Sequence, residues 1–275
     1  MTITIPLYWA GPEDAESGST YKIERNQDGT NWSTLAAGQA ATTPYVSVKD
    51  TLSSEHTYGD STISLTSASS FSSSGWGWLD DALVQWTGKS GNSLTGVTWH
   101  SGYGTYSSGT TLYEAHESYS DSTASVTLNA ILYRITHITS GGVSSPPTYL
   151  WYYSPPVPES SNHCVLVVQL MSDLGMEFQS GQSVLVALLK DTEFTAESGA
   201  HLDASASSVR QVNTNLFGLA FFQLWKTIAR NPLLSTTSGY QVTLNAGTSS
   251  PLVVNIATVP DQDFVFLHQV VTSLS

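Results

Sequence analysis

The sequence predicts an all-β protein made of more than one small sandwich. Three observations carry that expectation. Short runs rich in β-branched and aromatic residues recur along the chain, separated by Gly, Ser, Asn and Pro. Helical periodicity is nearly absent. Its best candidate, FGLAFFQLWKTIARNP (217–232), is apolar on both faces and reads as a buried strand followed by a loop. Of the 275 residues, 40% are apolar and 11% aromatic, enough to build real cores.

Charge describes the surface. Only 11% of residues are charged, against roughly 25% in an ordinary soluble domain. The exterior must therefore be Ser, Thr, Gly, Asn and Gln, which suits a protein packed against other proteins or glycans. The net charge of −13 reflects nine Lys plus Arg against 22 acids. No basic stripe could neutralise phosphates or dock on anionic lipid, so the expectation is no nucleic acid and no membrane insertion. The lone cysteine, Cys164, reads as a small buried hydrophobe in HCVLVVQL. The start, MTITIPLYWAGPED, shows no basic n-region, apolar h-region or cleavage site. No run of about 18 apolar residues exists to span a membrane. The expectation is a chain made and folded in the cytoplasm.

Taken in order, YKIERNQDGTNWSTL (21–35) reads as a hairpin. Tyr21, Ile23 and Arg25 alternate with Lys22 and Glu24, Gly29 can take a positive φ in the turn, and Trp32 and Leu35 begin the return strand. With the upstream Trp9, this order resembles the first half of a fibronectin type III domain. The second half appears only at ILYRITHITSGGVSSPP (131–147), after the strand SVTLNA (125–130). Tyr133 and Ile135 are expected in the core, and His137 stands where that family has a small residue. The resemblance implies a sandwich split into 1–50 and 123–153, with 51–122 inserted in a loop, where insertions are best tolerated.

The insertion carries Ile63-x-Leu65, Phe71, Ser74-Gly75, Trp86-Thr87-Gly88-Lys89, Leu94-Thr95-Gly96-Val97 and Gly104-Thr105. These features resemble a small β-module found in bacteriophage tail and baseplate proteins. Prolines and serines in 154–163 read as a semi-rigid linker. Beyond it, CVLVVQL (164–170) and SVLVALL (183–189) are apolar on both faces, as central strands would be. Together with Asn213–Phe222, Gly239–Leu244 and Val259-Pro260, they resemble a prealbumin-like (carboxypeptidase regulatory-like) sandwich over 164–275. FVFLHQVV (264–271) is expected to pair as an edge strand or reach a partner chain.

Motifs that force an enzyme are missing from the sequence. There is no Gly-x-Ser-x-Gly, His-Glu-x-x-His, Cys-x-x-Cys or phosphate loop. Glu114, His116 and Glu117 could supply metal ligands or simply end a solvated strand. Asp80-Asp81 would point to opposite faces of a strand, which does not suit a paired-carboxylate hydrolase. The expectation is no catalytic residue, no cofactor and no metal. The candidate contact residues are Trp76, Trp78, Trp86, Trp99, Tyr103 and Tyr106 of the insertion. They could fill its core, form a protein interface, or stack against sugar rings.

The resemblances together imply a non-enzymatic bacteriophage virion structural protein of the tail, baseplate or fibre-attachment region. Its alternatives are a capsid decoration or collar protein and a carbohydrate-binding host-attachment module. The implied partners are other virion proteins, further copies in a homo-oligomer or symmetric ring, and a host surface glycan. The implied location is the virion, assembled in the host cytoplasm and released by lysis.

Overall fold

The computed structural model describes residues 2–11, 16–41, 48–102, 104–171, 178–188, 194–195, 201–202, 210–226, 239–246, 248, 250–271 and 273–274. The fold is all-β, and the single helix among the described residues is the short Leu267–Val270. The chain forms two compact units. The first comprises 1–27, 32–126 and 131–152, and the second 28–31, 127–130 and 153–275.

In the first unit a sandwich is assembled from strands far apart in sequence. One layer is a four-stranded sheet in the order Thr148–Tyr153, Ala130–Ile138, Thr20–Asn26, Ser33–Ala40. The central pair is antiparallel and places Ile23 opposite Ile135. The facing layer is a two-stranded ladder of Thr2–Trp9 with Glu117–Ser125. Alternation selects the core: Ile5, Leu7 and Trp9 from one layer meet Tyr21, Ile23, Ile131, Tyr133 and Ile135 from the other. Trp9 and Tyr21 pack edge to face, with centroids 5.3 Å apart. His137 is buried there too, its ring 5.5 Å from that of Tyr21. The sandwich thus accommodates an imidazole where a small residue was the family pattern.

Between the sandwich strands lies a module with its own core. Its main sheet runs Thr98–Trp99, Ala82–Trp86, Gly75–Leu79, Thr111–Glu114, Lys49–Thr51. A three-stranded sheet runs Thr62–Ser64, Ser93–Thr95, Gly88–Ser90, and His56–Thr57 pairs with Thr105–Tyr106. Lys49–Thr51 therefore belongs to the module sheet, and Glu117–Ser125 to the sandwich ladder. The sequence boundaries at 50/51 and 122/123 fall inside these strands, because strand pairing rather than local composition decides where each segment belongs.

The strand GWGWL (75–79) shows how the module is packed. Trp86 sits opposite Gly75 and its indole covers the glycine side of the strand. A Cβ at Gly75 would lie 2.7 Å from Trp86 Cζ2, and one at Gly77 would lie 2.7 Å from the Tyr113 carbonyl oxygen. Both are closer than packed atoms tolerate, so these positions require glycine. The alternate positions, Trp76 and Trp78, project to the other side.

The second unit contains a three-stranded sheet, Leu219–Trp225, His163–Gln169, Phe264–Phe266, the last pair parallel. His163–Gln169 is its centre, and Cys164 through Val168 are buried. Burial pushes the Cys164 thiol up to about 12, as befits a packing residue. A five-stranded sheet runs Arg210–Asn213, Ser183–Leu188, Tyr240–Leu244, Leu252–Ile256, Ser273–Leu274. Ser183–Leu188 buries Val184 and Val186 and leaves Leu185 and Ala187 half-buried, so it is covered mainly on one face. Phe264–Phe266 is an edge strand that turns into the helix Leu267–Val270, a turn the strand-like composition of FVFLHQVV does not announce. The helical candidate at 217–232 is a strand over Leu219–Trp225, and residues 227–232 lie outside those described.

Candidate interaction surface

The aromatic residues singled out in the module separate into three groups. Trp86, Trp99 and Tyr106 belong to its core, with 1%, 8% and 6% of their surface exposed. Their polar atoms are engaged: Trp86 Nε1 donates to the Ser72 carbonyl, Trp99 Nε1 to the Asp60 carbonyl, and the Tyr106 hydroxyl to Asp81. These three are core residues. Tyr103 lies outside the described residues.

Trp76 and Trp78 form the third group, and both are half-buried. Trp76 stacks on Tyr8 of the sandwich, with centroids 4.1 Å apart and planes within 12°. His100 packs on Trp76 at 4.5 Å. Two rings that close to one indole centre would collide on a shared face, so they fill both faces. Trp78 Nε1 donates to the Tyr8 carbonyl at 3.0 Å. The pair is therefore a seam between module and sandwich. A sugar ring has no free indole face to stack on at Trp76.

The remaining sequence candidates have structural roles. Glu114 is buried and accepts from the Ser72 backbone N–H. Among the described residues no three His, Cys, Asp or Glu side chains converge as metal ligands, so Glu114, His116 and Glu117 form no such set. Asp80 and Asp81 sit in the hairpin turn, Asp80 with φ +54°. His56 receives the Ser64 backbone N–H on Nε2 at 2.8 Å, which leaves the ring proton on Nδ1, facing Asp60 at 3.0 Å.

A second aromatic surface was not singled out from the sequence. On the outer face of the four-stranded sheet, Arg134 makes a two-pronged contact to Glu24, at 2.6 and 3.0 Å. Its guanidinium lies 4.3 Å over the Trp32 ring, and Trp32 approaches Tyr149 at 6.2 Å. The Arg134 hydrogen bond holds the Glu24 carboxyl below its ordinary value. Lys22 reaches the same carboxylate at 2.9 Å. The available signal was TYLWYY (148–153): Leu150 and Tyr152 pack on the core, so period-two alternation puts Tyr149 on the outer face.

Two of the sandwich edges are poor templates for adding a strand. Ser33–Ala40 shifts register twice against Thr20–Asn26. Thr2–Trp9 contains Pro6, which has no N–H to offer, and its Tyr8 carbonyl is taken by Trp78.

No family model and no curated protein matches the chain. Among solved structures, similarity extends to the major pilin subunit BcpA of Bacillus cereus, at 10% identity and TM-score 0.23, covering 90% of this chain and 58% of that one. The pilus 2b backbone protein of group B streptococcus gives 9%, 0.24, and coverage of 96% and 83%. Domains D2 and D3 of the major pilin SpaD of Corynebacterium diphtheriae give 10%, 0.26, and coverage of 96% and 89%. The chain thus spans less than two thirds of the BcpA chain. Likeness at these scores assigns no role. These neighbours are pilus subunits and none is a bacteriophage tail or baseplate protein. The virion assignment, with its tail, baseplate, capsid and host-attachment roles and its location in a phage particle, is accordingly withdrawn. No helix among the described residues is long and apolar enough to cross a membrane.

Proposed function

We propose that the chain is a non-enzymatic structural subunit that assembles with further copies through faces of its β-modules. The observation that carries this reading is the Tyr8–Trp76–His100 stack with the Trp78 hydrogen bond. These aromatics are spent inside the chain, fixing the module to the sandwich, which suits a rigid building block better than a tethered capture module. The charge-poor surface and the blunted strand edges favour broad face contacts. The outer sheet face offers Trp32, Arg134 and Tyr149, the residue types that lead at interface hot spots.

Sedimentation velocity across a concentration series, with electron microscopy of the same samples, tests this. The expected result is association that grows with concentration into rings or fibres. A strictly monomeric protein at about 100 μM, weaker than most specific assemblies, would overturn self-assembly. Turnover of any substrate in a hydrolase and transferase panel would overturn the non-enzymatic half.

A further inference from the structure

The module carries a depression that none of the aromatic candidates borders. It is open, about 650 Å³ in volume, and lies where the strand Lys49–Thr51 runs on beside Thr62–Ser64 and Ser93–Thr95. That volume falls within the range of small-ligand sites. Six hydroxyls line it, from Thr51, Ser53, Ser64, Thr66, Ser93 and Ser108. No charged or aromatic side chain stands among its described lining residues. Its floor is Leu52 and Leu65, each 1% exposed and bridged to one another.

The backbone groups of this depression are already paired. Ser53 N donates to the Ser64 carbonyl, Thr66 N to Thr51, Leu65 N to Asn92, and Gly109 N to Leu52, all between 2.8 and 3.0 Å. An extended peptide therefore finds no free strand edge here. Recognition falls to the side chains. Thr51 and Thr66 hydroxyls lie 3.1 Å apart, and those of Ser64 and Ser93 3.4 Å apart. Each hydroxyl has one donor and two acceptor sites, so the Ser64–Ser93 pair keeps one free O–H, whereas Thr66 also donates to the Thr51 carbonyl at 3.3 Å and the Thr51–Thr66 pair offers lone pairs. An ion entering would be desolvated without a counter-charge. A ligand rich in uncharged hydroxyls would exchange its hydrogen bonds to water for equivalent ones.

We propose that this hydroxyl-lined depression binds a neutral saccharide, by side-chain hydrogen bonding and without ring stacking. Thr51, Ser64 and Ser93 stand on paired strands, so these hydroxyls are positioned before the ligand arrives. It is independent of the assembly reading and of the Trp76–Trp78 seam.

Amide chemical-shift mapping of the full chain, titrated with maltotriose, cellotriose and N,N′,N″-triacetylchitotriose to about 10 mM, tests it. At least one of the three is expected to move the amides of Ser53, Ser64, Thr66 and Ser93 in a saturating curve, with the Trp76 and Trp78 indole signals unchanged. Thr66→Val, which keeps the side-chain shape and removes one exposed hydroxyl, should weaken that curve at least threefold while the chain keeps its cooperative thermal transition. Ser108→Ala provides the same test should Thr66→Val fold poorly. No saturable shift with any of the three sugars, shifts that map elsewhere, or equal binding by both variants would overturn the proposal.

Discussion

Arg25 Nη1 lies 2.7 Å from Asp121 Oδ2, and this buried pair joins the four-stranded sheet to the two-stranded ladder. Only 10% of the Arg25 side chain and 1% of that of Asp121 are exposed. A carboxylate so placed is tolerated because its other partners are present. Tyr133 donates its hydroxyl to the same oxygen at 3.0 Å, while the Thr123 backbone N–H and hydroxyl serve Oδ1, each at 2.9 Å. The network pins one layer over the other, which apolar side chains in a small core specify less tightly.

Removing one partner leaves the other charge buried alone. Asp121→Ala is expected to destabilise the first unit by about 3–5 kcal/mol, measured by urea unfolding. Replacing both partners, Arg25→Met with Asp121→Ala, should cost less than the single change. A single-variant loss below about 1 kcal/mol would show that the pair does not hold the layers.

The same carboxylate predicts an acid dependence with a definite sign. Burial pushes the Asp121 carboxyl up, but the Thr123, Arg25 and Tyr133 hydrogen bonds outweigh it and hold the group below its ordinary value of 3.8. A depressed folded value means stability that is fully present above the unfolded value and lost as pH falls through the folded one. The gap in urea midpoint between the natural chain and Asp121→Asn should therefore be constant from about pH 7 to about pH 5. It should narrow once the pH passes below 3.8. A gap that widens with acid would contradict the depressed value.

At the seam, Tyr8 and Trp76 should couple energetically. A double-mutant cycle of Tyr8→Ala and Trp76→Ala is expected to return about 0.5–1.5 kcal/mol beyond the area each ring buries. Trp78→Phe keeps the ring and loses the bond to the Tyr8 carbonyl, at a cost of about 0.5–1.5 kcal/mol. Strictly additive single changes would mean that the stack contributes nothing.

What the sequence made legible follows the range of each interaction. All-β character is written in local alternation, and Tyr21–Ile23 and Tyr133–Ile135 bury their rings and branches because a strand repeats every two residues. That GWGWL presents Trp76 and Trp78 on one face was equally local. What meets that face was not, since Tyr8 lies some 70 positions upstream on a different layer. That Trp86 fills the core was not local either: it packs into the space that Gly75 and Gly77 leave on the neighbouring strand. The hydroxyl-lined depression had no signal at all, because Ser and Thr are spread through a charge-poor chain and only the fold gathers them. The virion reading drew on motif order, which speaks to module type and not to the particle in which a module works.

The pairing of distant strands gives a last test, of whether the sandwich folds without the module. Ile23 sits opposite Ile135, and Thr2–Trp9 pairs with Glu117–Ser125, so every strand of the sandwich lies outside residues 49–114. We expect a variant with 49–115 replaced by a short Gly-Ser linker to keep one cooperative unfolding transition for the sandwich, because the entropy of loop closure changes slowly with length. It should lose some stability through exposure of the Tyr8 ring, which the double-mutant cycle above measures independently. Within this shortened chain, Tyr133→Ala should still cost about 3–5 kcal/mol, as the ring is fully buried among the sandwich residues and not against the module. Loss of cooperative unfolding, or insensitivity to Tyr133→Ala, would show instead that module and sandwich fold only as one body.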